Sequence, residues 1–376
     1  MTQSLPGHAA RIGSPAPGAN PARSPRKGAI INTLAGLTLR ALPRIPDPVK
    51  RLLLGRRSIT IDGNTLDTTL QLMLAGQKAV GLGGLVADPD VAEARAQLRI
   101  LAASFKQDIP VAAVTNLSIP GPAGSIPARH YVPANGDGAP LLVFYHGGGF
   151  VIGDLETHDD LCRLICRDGG VHVLSVDWRL APEHKAPAGP DDAYAAYRWA
   201  LDRAAELGAD AGRVAVGGDS AGGNLAALVS LRARDEGARL PALQLLIYPV
   251  TSLRGESRSK TLFAEGFFLT RRDMDWFMGH YVDGADIEWT DPRVSPLLSA
   301  DLSGLPPALV LTGGFDPLRD EGTQYAKAMR AARVTVDHRQ FGSLIHGFAN
   351  FFPLGGGSAT ATTEMISALR AHLART

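Results

Sequence analysis

The chain predicts an α/β fold: a mostly parallel sheet of about eight strands flanked by helices, with two further segments outside that alternation. Three observations predict it. Short apolar runs without clean alternation recur from about residue 111 onward, as expected of strands covered on both faces. Stretches with helical spacing separate those runs, which is what crossover connections require. Two stretches, 29–110 and about 251–290, stand outside the alternation, the first mostly helical in pattern and the second long enough for a lid.

Composition narrows the class further. A chain of 376 residues with 45% hydrophobic content can bury a large core. A formal net charge of +1 leaves no global field for nucleic acid, and none is expected as a partner. No apolar run approaches the ~20 residues of a membrane-spanning helix. Cys162 and Cys166 stand four apart in a helical pattern, which suits one helix face better than a disulfide and points to a reducing, cytoplasmic setting.

The first 28 residues, rich in Pro, Gly, Ala and Ser, read as a disordered basic tail. Residues 1–57 carry ten Lys or Arg against one Asp. Within them, 29–57 is apolar and basic together, which suits a helix packed on the core or a peripheral contact with an anionic membrane. The packed helix is the commoner outcome. A signal peptide is not indicated, because Arg40 interrupts the apolar run and no small-residue cleavage site follows.

Next come the helical patterns "LDTTLQLMLAGQKAV" and "DVAEARAQLRILAASF". Residues 111–376 then form the main domain. Val111–Ser118 and Ile126–Val132, split by "IPGPAGS", predict a hairpin. Further strands are expected at Leu141–Tyr145, Val171–Asp177, Arg213–Gly217, Leu243–Tyr248, Ala308–Thr312 and Val334–Arg339. Helices are expected at about 156–168, 190–207, 221–235, 319–332 and 361–374. The segment 251–290 is longer than a plain connection and reads as a lid or binding element.

Function begins at "VAVGGDSAGGNLAA", residues 214–227. Gly218-Asp219-Ser220-Ala221-Gly222 fits G-x-S-x-G, a sharp strand-to-helix turn that exposes the serine hydroxyl. Chance gives such a match in roughly one chain in four of this composition, so the motif needs partners. A serine hydroxyl needs a base, and the base needs an acid to fix its tautomer. "LVLTGGFDPLRDEG" places Asp316 just past one predicted strand, and "GSLIHGFAN" places His346 just past the next. Alone, each has a commoner reading, a turn Asp and a surface His. Together with Ser220 they follow three strands at matching ends, in the order this chemistry uses. Rivals fit less well: Asp320 and Glu321 read as first-turn helix acids, His338 lies within a strand, and His280 precedes the acid.

Acyl transfer also needs donors for the developing oxyanion. "LLVFYHGGGFVIGD" supplies Gly147, Gly148 and Gly149 after a strand, and Ala221 adds an N–H just after the serine. A flexible surface loop is the alternative. His146 is expected to orient the loop rather than take protons. Phe150, Phe267, Phe268, Trp276 and Phe277 are pocket candidates, although core packing explains such aromatics equally well.

"YHGGGFVIGD", "SVDWRLAPEHKAPAGPDDAY", "VGGDSAGGNLA", "YPVTS", "DPLRDEG" and "HGF" stand in one order over residues 141–348. In this the chain resembles the hormone-sensitive-lipase-like serine esterases, a family of α/β hydrolases, over about 110–376. The resemblance implies an α/β-hydrolase fold with Ser220, Asp316 and His346 as the triad. It implies an oxyanion hole from the HGGG glycines with Ala221, and a cap from N-terminal helices plus an inserted segment. Asp177, Arg179 and Glu183 fall in a family motif that is mainly structural, and are expected as buried or half-buried contacts. Trp178 stands where many members have Tyr, and Lys185-Ala186 where Pro-Phe is common.

The expected activity is hydrolysis of short- to medium-chain acyl esters by a serine carboxylesterase, with a small-molecule ester as partner and no metal or organic cofactor. A lipase on longer chains or an amidase would use the same triad. A non-catalytic receptor on this fold would typically lack the histidine, and His346 is present. An epoxide- or halide-releasing enzyme would need a carboxylate at position 220.

Overall fold

The computed structural model describes residues 41–375. The tail expected at 1–28, and residues 29–40 of the apolar basic stretch, lie outside these. Ten strands run in chain order: β1 Thr60–Ile61, β2 Asn64–Thr65, β3 Ala113–Gly121, β4 Gly124–Val132, β5 Ala139–Tyr145, β6 His172–Val176, β7 Ala209–Asp219, β8 Gln244–Ile247, β9 Ala308–Phe315 and β10 Val336–Ile345. Among the α-helices are α1 Asp47–Leu53, α2 Thr68–Ala79, α3 Val91–Phe105, α4 Asp159–Gly169, α5 Ala188–Arg203, α6 Ala221–Asp235, α7 Arg258–Leu262, α8 Arg271–Val282, α9 Arg319–Ala331 and α10 Gly356–Leu373.

Eight strands form one sheet in the order β3-β4-β6-β5-β7-β8-β9-β10. The pairs β3–β4 and β4–β6 are antiparallel. The remaining neighbours are parallel. Every residue of β6, β8 and β9 is buried, which is why their sequences show no alternation. Along β5, Leu141, Val143 and Tyr145 pack with α5 and α6 on one face. Leu142 and Phe144 pack with α4 and α10 on the other, the two-residue period of a strand. The edge strand β10 is only half-buried over most of its length.

The N-terminal region differs from expectation in one respect. Between α1 and α2 lies a two-residue-per-strand hairpin, β1–β2, where only helix was expected. The insertion contains the short α7 and the longer α8, which opens with a capping box between Thr270 and Asp273. Asp273 joins the two regions. Its carboxylate accepts the N–H groups of Leu85 and Val86, each at 3.0 Å. Trp276 Nε1 donates to Pro89 O at 3.2 Å in the same interface.

The Lys185-Ala186 departure has a place here. Lys185 Nζ donates to the carbonyls of His280 and Asp283, and Ala186 N–H to that of Tyr281. Arg179 forks onto the buried Asp192, and Asp177 is half-buried. Glu183 departs from the expected burial: it is exposed, with Arg95 bound to both its oxygens. Among the described residues no helix is long and apolar enough to cross a membrane. Cys162 and Cys166 are buried free thiols, both pushed up by burial, Cys166 to about 12.

Candidate active site

Ser220 sits between β7 and α6 at φ +56°, ψ −114°, a conformation L-residues adopt only when their surroundings enforce it. The enforcement is visible on both sides. A Cβ at Gly218 or Gly222 would collide with the backbone carbonyl of Tyr145 on β5, so only glycine lets strand and helix close on the turn. Ser220 N–H donates to Ile247 O, and its carbonyl accepts from Asn224 and Val250.

Three strand ends converge at the hydroxyl. His346 Nε2 lies 3.0 Å from Ser220 Oγ. Its Nδ1 lies 2.8 Å from Asp316 Oδ2. Asp316 follows β9 and is fully buried, and its other oxygen accepts the Leu318 N–H at 2.8 Å. The Tyr248 ring lies against the imidazole, 4.8 Å between centroids. A carboxylate that fixes Nδ1–H leaves Nε2 as the acceptor for the serine proton. The rivals go elsewhere. His338 pairs with Thr312 and His280 packs on Trp276. Asp320 caps Ser259. Glu321 is not a solvated first-turn acid: it is buried, accepts the Thr251 and Ser252 N–H groups and pairs with Lys260 at 2.7 Å.

The glycine loop after β5 requires a correction. Gly147 N–H is not open to a ligand, because it donates to Asp219 Oδ1 at 2.8 Å. The N–H groups of Gly148, Gly149 and Ala221 have no hydrogen-bond partner among the described residues. They are the donors available to an oxyanion. Gly148 and Gly149 have positive φ, and a Cβ on Gly149 would run into the Phe277 ring. His146 is fully buried and stacks on Trp178 at 5.0 Å. Its Nδ1 donates to Gly147 O at 2.7 Å, the contact expected of a loop-orienting residue. Burial pushes its pKa down to about 4, so it is neutral.

Above the serine lies a cavity of about 660 Å³, with Ser220, His346, Gly148 and Gly149 in its lining. Of the five aromatic candidates, Phe268 and Phe277 line it. Three do not. Phe150 turns inward at φ +67° and stacks on Tyr281. Phe267 packs on Phe263 and Phe315. Trp276 points to Pro89. Core and interface packing claims these rings. The other walls come from α3 through Leu98, Leu101 and Phe105, and from α8 through Met274 and Met278.

Sequence reasoning missed a set of polar residues around Asp219. This carboxylate, next to the serine, also meets His158 Nε2 at 3.1 Å and accepts the Asn350 amide at 3.0 Å. Its place in the elbow motif was the only signal; His158 and Asn350 carry none.

A model of the α/β-hydrolase fold family matches residues 142–350. The chain is 55% identical, over the full length of both proteins, to the carboxylic ester hydrolase LipN of Mycobacterium tuberculosis. It is 36% identical to the ethyl acetate hydrolase of Pseudomonas putida, across 81% of this chain and 97% of that one. An ester hydrolase from the Lake Arreo metagenome, solved with a bipyridine phosphonate derivative, superposes with a TM-score of 0.76. It is 44% identical, and the match covers 81% of this chain and 96% of that one.

Proposed function

We propose how this chain, which belongs to the α/β-hydrolase fold family and is a carboxylic ester hydrolase, uses its site. Ser220 Oγ attacks the ester carbonyl while His346 Nε2 takes its proton, and Asp316 steadies the imidazolium. The oxyanion is held by the N–H groups of Gly148, Gly149 and Ala221. The alcohol leaves with the proton from His346. Water, activated by the same histidine, then releases the acid from the acyl-serine. Helix α3 and the 251–290 insertion supply the cap walls that keep bulk water from the acyl group.

The reading is carried by the unbroken Ser220–His346–Asp316 line, with links of 3.0 and 2.8 Å, beside backbone donors with no other partner. The substrates are short- to medium-chain acyl esters. A cavity of about 660 Å³ is of small-molecule size rather than an extended groove, and a relative matched over 97% of its own length is an ethyl acetate hydrolase.

Ser220→Ala is expected to lose at least about 10⁴-fold in kcat and all covalent labelling by an organophosphonate. Labelling that persists in this variant overturns the assignment. Nitrophenyl esters from acetate to palmitate rank the acyl preference; activity confined to the longest chains would make the enzyme a lipase instead.

A further inference from the structure

We propose that His158 is a positioning residue held as an imidazolium, whose charge neutralises buried Asp219 so that the oxyanion forms beside an ion pair rather than a bare carboxylate. The inference rests on the esterase reading above and adds a second histidine–aspartate pair to it.

Hydrogen-bond directions assign the protons. Thr157 has one hydroxyl proton, and it donates to Asp154 O at 2.8 Å while accepting the Asp154 N–H at 2.9 Å. Toward His158 Nδ1, 2.9 Å away, that hydroxyl oxygen therefore accepts, and Nδ1 carries hydrogen. At the other end, Nε2 lies 3.1 and 3.3 Å from the two oxygens of Asp219, an acceptor-only group when ionised. Nε2 carries hydrogen too. An imidazole protonated on both nitrogens is a cation.

Asp219 is ionised for matching reasons. Burial alone would raise its carboxyl, but the His158 charge and hydrogen bond and the Gly147 N–H hold it below the usual carboxylate range. The neighbouring imidazole of His146, 5.6 Å from His158, is the neutral member of this trio.

Position gives the pair its purpose. Asp219 precedes the nucleophile in the chain, holds Gly147 of the oxyanion loop, and holds Asn350, four residues past His346. It thus clamps the three loops that meet at the site. A carboxylate doing this alone would oppose the negative charge that builds on an oxyanion held by the same glycine loop, where low dielectric magnifies the effect. Asp219, His158, Asn350 and Ser220 all line the same cavity, so the cation faces the reacting region.

The test is a double-mutant cycle on the full-length enzyme, read as kcat and KM on a nitrophenyl butyrate and as the rate of phosphonylation of Ser220. His158→Gln keeps an N–H toward Asp219 but removes the charge. Its kcat is expected to fall about 10- to 100-fold, with KM within about threefold. Asp219→Asn slows the otherwise native enzyme, because it loosens the clamp. Added to H158Q, however, it removes the unbalanced charge and is expected to restore kcat at least about fivefold; its amide oxygen still accepts from Gly147, and Asn350 can turn its own amide. Native kcat in H158Q, or a double variant slower than H158Q, overturns the proposal. Should H158Q not fold, ¹⁵N resonances of the histidine ring in the unaltered protein decide: both nitrogens of His158 protonated at pH 7.5 supports the pair, and a neutral ring sinks it. Absence of ester hydrolysis by the unaltered enzyme would instead overturn the esterase reading itself.

Discussion

At the cavity floor and just beneath it, Ser220, Gly147 and Asp316 are fixed by backbone hydrogen bonds and buried carboxylates at the ends of β5, β7 and β9. The walls are tied differently. Several of their links are side-chain pairs at the surface, such as Arg95 with Glu183, Arg99 with Asp154 and Arg271 with Glu256. Such pairs are worth about 0–1 kcal/mol each. Floor contacts cannot shift without stranding buried donors, whereas wall contacts can be exchanged for water. In the mechanism proposed above, the difference separates two kinds of control: the floor would set the rate of the chemical step, and the walls which ester fits and how tightly.

The largest expected effect breaks the floor. Asp316→Asn leaves the shape intact but lets His346 adopt the wrong tautomer, so kcat should fall about 10⁴-fold with KM little changed. A fall below tenfold would show that His346 is oriented by something other than this acid.

Next is a wall anchor built like the floor. Asp273 is buried and accepts from Leu85 N, Val86 N and both donors of Thr270. Asp273→Ala should cost about 2 kcal/mol of stability, because buried donors lose their acceptor. KM should rise severalfold while kcat stays within about threefold. Denaturant unfolding and steady-state kinetics check the two halves. A collapse of kcat with unchanged KM would mean that this wall takes part in the chemistry.

The smallest effect is a slope with pH. Burial first, with neighbouring imidazoles adding to it, pushes the pKa values of His130 and His146 down to about 4. Unfolded histidine titrates near 6.5. Between these values the unfolded chain binds more protons, so these groups' contribution is complete above about pH 6.5 and is lost as pH falls through 4. Asp177 works in reverse: burial and the Asp154 charge raise it to about 6, so its contribution declines as pH rises toward 6. Two histidines outweigh one acid, and the melting temperature should drop on acidification from 6.5 to 4. His130→Gln, which still offers an N–H to His172, should flatten that slope. An unchanged slope would place the titrating group elsewhere.

The floor was readable because its chemistry constrains residue type. Only glycine passes under Tyr145 at 218 and 222, and a serine at the elbow needs a histidine and an acid at neighbouring strand ends. Gly147 was misread because the direction of one N–H depends on where Asp219 points, which no spacing encodes. The walls were legible only as helices. Which face of α8 meets the cavity depends on its rotation, so Phe277 lines it and adjacent Trp276 does not. Glu321 looked like a helix-start acid because its partner, Lys260, comes from 61 residues away in the chain.

Where the two regions touch, the protein's capacity to change is limited. The aromatic ring of Phe277 rests where a side chain on Gly149 would have to go, so specificity and rate meet in one contact. Trimming that ring to admit bulkier acids would also remove the surface the glycine loop leans on. Lineages or engineers seeking new substrates here should find wider scope at Leu98, Leu101 or Met274, which border the cavity without that contact.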